Sequence, residues 1–440
     1  MKKCWVVGVL FYCVFNVYAQ FPNEYEKNID SVHVHLPDSI YTTSTSKFSI
    51  YYTNLIPSEF LNNEQIVVNC SVGYADSMKY NLDSLNAGRY NFNIQIYDSL
   101  GSFVEEDNSK IIVTNDTITH NDTLKVLIIG DSFTWMGISE KYIKDFYEKT
   151  SNHPIKFLGT KYNTYEQYHA VENGIYHEGY TGKTWYFFAN DLLSPFVYDT
   201  VGAVDLNRYF NIELNGEKPD VVVIFLGIND IGSGDPSTIE TIDLRIDTIF
   251  GSSQMTKIIN SFVDVLPNAE IGIVLTPPLN EREDTYTNPA IPDYWERKRM
   301  HHRLCQRYED YFKTLNYPKI SIIPVNVNID TYLGFGVTDS IHPNDFGFKQ
   351  IGYSIYGWLK YQISQWMTEP KNLLISYNTN SVYLNWEQSS GVFQYHIYRS
   401  ANPYSGFIEI GTSTVTSYTD SNISGSTKYF YKVTADNSVK

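Results

Sequence analysis

Lys125-Val126-Leu127-Ile128-Ile129-Gly130-Asp131-Ser132-Phe133-Thr134 is the stretch whose reading decides the fold. Val126 to Ile129 is an apolar run without alternation, which fits a strand covered on both faces, as in a parallel sheet. Helical spacing follows over 138–149, so the chain reads strand, turn, helix. Gly130-Asp131-Ser132 falls on the turn. There a serine hydroxyl is exposed at the carboxyl edge of the sheet, where open α/β sheets bind ligands. Its own backbone N–H lies at the positive end of a helix. Asp and Ser are also ordinary helix caps, so the triplet alone does not establish a site.

Outward from this unit, apolar runs recur at 155–158, 221–226, 271–275 and 320–324. Helical patterns lie between and after them at 238–266, 294–315 and 346–367. Alternating strands and helices predict an α/β domain with a parallel sheet, spanning 121–369. The flanks read differently. Phe48, Ile50 and Tyr52 alternate with polar residues, as do Tyr90, Phe92, Ile94 and Ile96, which predicts an Ig-like β-sandwich over 20–120. The polar stretch 114–123 reads as a linker. Beyond Glu369-Pro370, Val382-Tyr383-Leu384-Asn385-Trp386 and Tyr429-Phe430-Tyr431-Lys432-Val433 alternate again. This last segment, 370–440, resembles a fibronectin type III module, either incomplete or atypical. The histidines His33, His35, His301 and His302 read as surface residues.

Lys2 and Lys3 followed by an apolar run from Trp5 to Val17 and a small residue at Ala19 read as a signal peptide over 1–19, with an uncleaved anchor as the alternative. Tyr12 before Cys13 is too bulky for a lipidation signal, and no run is long enough to cross a bilayer, so a secreted or periplasmic protein without membrane insertion is expected. The formal charge of −16 argues against nucleic acid as a partner, because the phosphates would be repelled. Outside the leader only Cys70 and Cys305 remain, which is no disulfide framework. No Cys-x-x-Cys or His-x-x-x-His pattern suggests a metal.

Three further segments complete a constellation. Gly227-Ile228-Asn229-Asp230 ends an apolar run, where an Asn amide can donate to a developing oxyanion, or simply build a turn. His177-Glu178-Gly179-Tyr180-Thr181-Gly182-Lys183-Thr184-Trp185 carries two glycines whose backbone N–H can approach a ligand closely, Gly182 being the candidate and Gly179 its rival. Asp339-Ser340-Ile341-His342-Pro343 can set a carboxylate on the imidazole Nδ1–H and leave Nε2 to accept a serine proton. Pro343 is expected to open the final helix.

In the order Gly-Asp-Ser, Gly, Gly-x-Asn-Asp, Asp-x-x-His, these four segments resemble the SGNH hydrolase (GDSL-type esterase) superfamily over 124–367. Phe133 stands where that family usually has Leu, and the Gly block departs further. The resemblance implies a flavodoxin-like three-layer α/β/α sandwich. It makes Ser132 the nucleophile, His342 the general base, Asp339 its orienting acid, and Ser132 N–H, Gly182 N–H and the Asn229 amide the oxyanion donors. No cofactor or metal is implied.

Tyr162, Tyr165, Tyr168, Tyr176, Tyr180, Trp185 and Tyr186 crowd around the Gly block. Aromatic faces with polar tips suit sugar rings, so Tyr180 and Trp185 are the candidate substrate contacts, and an acylated carbohydrate or other small ester is the expected substrate. The charged, Pro-containing stretch 277–299 reads as a second rim segment. Removal of acetyl groups from a glycan leads. A lipase, thioesterase or lysophospholipase on the same triad, and a silent glycan-binding protein, are the alternatives.

Overall fold

The strand Leu124–Gly130 is buried at every position but Lys125, because it is paired along both edges. On one side it runs parallel to Val221–Phe225; on the other it pairs first with Ile155–Leu158 and then, near its end, with Glu178–Gly179. Val221–Phe225 continues to Glu270–Val274 and then to Ile320–Ile323, all parallel. Numbered by appearance, the five longer strands lie in the order 2-1-3-4-5, that of a flavodoxin-like doubly wound sheet. The chain reverses direction across the sheet between the first and third strands, so a crevice opens where Leu124–Gly130 and Val221–Phe225 end. Ser132 and Asn229 follow those two ends.

The computed structural model describes residues 34–436 apart from 57–63, 119–121, 152–153, 163–173, 199–201, 288–292, 316, 367–368, 390–391, 393 and 425–426. The leader expected at 1–19, together with His33, Tyr165 and Tyr168, lies outside the described residues. No described helix is long and apolar enough to cross a membrane.

Two helical expectations change. The pattern over 238–266 forms two helices, Ile239–Phe250 and Met255–Val265. Gly251-Ser252-Ser253 breaks it, since Gly is entropically costly in a helix and Ser competes for backbone hydrogen bonds. The other long helix, Tyr294–Thr314, carries His301 inward: the ring is buried, and its Nε2–H donates to the Thr276 carbonyl at 2.6 Å. The expectation of a surface His301 fails because this helix is covered on two sides. The sheet packs on one, and the N-terminal segment lies on the other, where Glu309 accepts from the Asp38 N–H and the His35 ring.

The residues before the α/β region form two sheets. Ser39–Thr43, Phe103–Thr114, Gly88–Tyr97 and Gln65–Cys70 make one, and Lys47–Tyr51, Lys79–Asp83 and Tyr74–Ala75 the other. Phe48, Ile50, Phe92, Ile94 and Ile111 share a core. Of the linker expected at 114–123, the described residues 114–118 form a packed joint instead. Asp116 is buried, accepting from the Thr45 N–H (2.8 Å), the Thr45 hydroxyl (2.6 Å) and the Tyr356 hydroxyl (2.9 Å). Lys360 donates to the carbonyls of Asp116 and Ile118. Polarity read as solvent exposure is spent on bonds to the long helix Asp345–Gln365. Asn54 adds a second bolt, donating to the Asn326 (3.0 Å) and Ile329 (2.7 Å) carbonyls. Asn54→Ala strands two buried carbonyls, and is expected to lower stability by about 2 kcal/mol as a shift in the urea midpoint of the full chain.

After the α/β region, two three-stranded sheets enclose Leu384, Trp386, Tyr395 and Ile397. Among the described residues, Cys70 and Cys305 form no disulfide.

Candidate active site

Ser132 opens a four-residue helix, Ser132–Trp135, directly after the buried strand. Asp131 caps it, its Oδ1 accepting the Phe133 N–H at 3.0 Å. The other oxygen, Oδ2, accepts from the Asn229 side-chain amide at 2.9 Å. One fully buried carboxyl therefore ties the serine turn to the Asn229 turn. Burial pushes the Asp131 carboxyl up to about 7, against the Phe133 N–H, the nearby His342 and the Asn229 amide, which favour its charged form.

Asp339 and His342 face Ser132 across the crevice. Asp339 Oδ1 accepts the backbone N–H groups of Ile341 (2.8 Å) and His342 (2.9 Å), and Oδ2 lies 3.0 Å from the ring Nδ1. The carboxylate fixes the proton on Nδ1, so the Nε2 lone pair faces Ser132 Oγ, 2.9 Å away. Asn280 holds the turn from below by donating to the Gly336 and Asp339 carbonyls. Burial alone would raise the Asp339 carboxyl, but the bonds from the His342 ring and the two backbone N–H groups outweigh it and hold it at about 2. The Asp339 hydrogen bond likewise raises His342 above the ordinary imidazole value, against burial, which lowers it. Pro343 does not open the final helix. It bridges Phe335, and Asn344 caps the helix by accepting from the Phe346 and Gly347 N–H groups.

Asn229 is engaged at both amide hydrogens, one toward Asp131 and the other toward the Lys183 carbonyl at 3.3 Å. The second bond is the longer and weaker. Lys183 adjoins Gly182, so the Gly block and the Asn turn meet here. Gly182 sits at φ +67°, a conformation that favours glycine, inside a turn closed by Lys183 N–H to the Tyr180 carbonyl at 3.2 Å. Its rival is otherwise committed: Gly179 N–H donates to His177 Nδ1 at 3.0 Å, in a buried pair.

The two aromatic candidates separate. Trp185 is fully buried, and its indole N–H donates to the Tyr308 hydroxyl at 2.7 Å. The expectation that it contacts substrate is corrected, because as the first residue of the helix Trp185–Asn190 its ring turns into the core. Tyr180 is half-buried, donating its hydroxyl to Glu178 at 3.0 Å, and lines a surface cavity of about 480 Å³ with Thr160, Ser194, Tyr198 and Glu213. Of the other tyrosines, Tyr162 and Tyr186 are exposed.

Sequence reasoning missed Asp131 as a bridge and Tyr308 altogether. The first was visible inside the Gly-Asp-Ser triplet; the second is one of 37 tyrosines and carries no local signal.

No curated protein matches the chain. Among solved structures it is similar to a carbohydrate esterase family 3 protein from Talaromyces cellulolyticus (16% identity, 55% of this chain and 99% of that one, TM-score 0.34). It is also similar to a carbohydrate acetylesterase from Sinorhizobium meliloti (16% identity, 55% and 100%, TM-score 0.30). A Fn3-like protein from Clostridium thermocellum matches at 30% identity over 16% of this chain and 75% of that one, with a TM-score of 0.15. Residues 128–350, half of the chain, match the model of the GDSL-like lipase/acylhydrolase family and include all the residues built into this site, so the chain belongs to that family.

Proposed function

We propose that this chain is an exported serine esterase that removes acyl groups, acetyl foremost, from carbohydrate. The observation that carries the reading is the continuous line from Asp339 through His342 to Ser132, with contacts of 3.0 and 2.9 Å. His342 Nε2 takes the Ser132 proton as Oγ attacks the ester carbonyl, and the imidazolium that forms is stabilised by Asp339. The Ser132 and Gly182 N–H groups and the Asn229 amide receive the oxyanion; the hydrogen that Asn229 shares weakly with Lys183 turns toward it as charge develops. His342 then protonates the leaving alcohol, and water repeats the cycle to release the acid. No step calls for a cofactor.

Support for a sugar comes from the exposed rings of Tyr162 and Tyr186 and from the cavity beside Tyr180, whose backbone N–H bonds Gly130, two residues before Ser132. One observation favours an apolar ester instead: Leu333 (62% exposed), Val337 (68%) and Phe346 stand in solvent on the segment that carries Asp339 and His342. Acetate release from acetylated oligosaccharides against cleavage of 4-nitrophenyl palmitate decides between them. Rapid palmitate cleavage with no acetate release would end the carbohydrate reading. The same reading takes the flanking sheets as β-sandwich modules, Ig-like before and fibronectin type III-like after, on a protein exported by its 1–19 leader.

The base must be neutral, and its pKa is raised. Activity is therefore expected to fall with decreasing pH through a midpoint above about 6.5, the free imidazole value. A kcat/KM profile level down to about pH 5 would remove His342 from the role.

A further inference from the structure

Behind the candidate site, the turn bearing Asn229 and the loop bearing Gly182 are joined by a closed ring of hydrogen bonds. Trp185 is the corner. Its backbone N–H donates to Asp230 Oδ1 at 3.0 Å, and its indole N–H donates to the Tyr308 hydroxyl at 2.7 Å. That hydroxyl donates onward to the Leu226 carbonyl at 3.3 Å. Leu226 and Asp230 bracket Gly227-Ile228-Asn229, so both ends of the Asn turn are tied to one residue, three positions after Gly182. Trp185, Tyr308, Leu226 and Asp230 are all buried, where a lost partner is not replaced by water. Gly227 makes the approach possible: at φ +134°, a Cβ there would stand 2.7 Å from the Tyr308 hydroxyl.

We propose that Tyr308 and Trp185 are positioning residues, which set the separation between the Gly182 N–H and the Asn229 amide so that both meet one oxyanion. The inference rests on the esterase reading above and extends it to two residues that do not touch substrate. Oxyanion donors act only within a narrow distance of the developing charge. Because the Asn229 amide also bonds the Lys183 carbonyl, any drift of Trp185 carries Lys183 with it and turns the amide.

Tyr308→Phe keeps the ring and strands the indole N–H and the Leu226 carbonyl. With the full chain and 4-nitrophenyl acetate, kcat is expected to fall about tenfold while KM stays within about twofold. The Ki of phenylboronic acid, whose adduct on Ser132 places an oxygen in the same hole, is expected to rise in step. Trp185→Phe cuts the same bond, so the double variant should be no slower than the slower single; it also carries the test should Tyr308→Phe not fold. Unchanged kcat in either Phe variant, even with a lowered Tm, would show that the ring only stabilises the fold, and multiplicative losses in the double would break the link between them. A wild type that hydrolyses no ester, or equals Ser132→Ala, takes down the esterase reading and the brace with it. A wild type silenced by Ser132→Ala beside a full-speed Tyr308→Phe sinks the brace alone.

Discussion

Alanine at position 132 is expected to lower kcat for 4-nitrophenyl acetate by about 10⁵-fold, leaving only what the oxyanion donors and binding supply. The loss is this large because, in the proposed mechanism, Oγ is the atom that bonds the acyl group, and His342 Nε2, 2.9 Å away, then has no proton to take. The Ser132 N–H survives the substitution, as does the Asp131 cap on Phe133, so the turn stays in place and the fold is spared. Far-UV circular dichroism and Tm close to wild type, beside vanished turnover, are the expected pair of results. Equal rates in the two proteins would mean that the chemistry happens elsewhere.

Asp339→Asn is expected to cost about 10³–10⁴ in kcat at neutral pH, through the tautomer rather than through charge alone. The side-chain oxygen that accepts the Ile341 and His342 N–H groups must remain an acceptor. Asn can satisfy them only by turning its amide N–H₂ toward Nδ1. That nitrogen must then give up its proton, the proton moves to Nε2, and the imidazole donates to Ser132 instead of accepting from it. Asp339 has about half of its side chain in contact with solvent, so water can rescue part of the ring population, and the lower end of the range is expected. Steady-state rates at pH 7–9 check this; a loss under about tenfold would reduce Asp339 to a turn residue.

Much of the site was legible because its chemistry is written in short local segments. Gly-Asp-Ser, Gly-x-Asn-Asp and Asp-x-x-His each place a candidate polar side chain just after a strand or just before a helix, and local spacing alone puts Asp339 on the ring of His342. The β runs were legible for a similar reason: strands covered on both faces must be apolar throughout, as at Val221–Phe225. Trp185 misled because a tryptophan in a polar loop gives no sign of which way its ring turns. His301 misled because a charged, polar helix looks solvated until a second layer is laid over it. Residues 114–118 misled because Asp116, Thr45 and Tyr356 lie far apart in the chain, and only their meeting turns apparent loop polarity into a packed joint.

From its amino-acid order alone, this protein had its parallel sheet and the four short segments that supply the candidate site, because periodicity and turn chemistry act over a few residues. What the tertiary structure alone decided is which side chains meet. Glycine 179 is bonded to His177 while Gly182 lies in the turn closed between Tyr180 and Lys183, Asp131 joins serine to asparagine, and Tyr308 closes a ring from 82 residues away. Those pairings depend on how distant strands and helices pack, and no spacing within a segment encodes them.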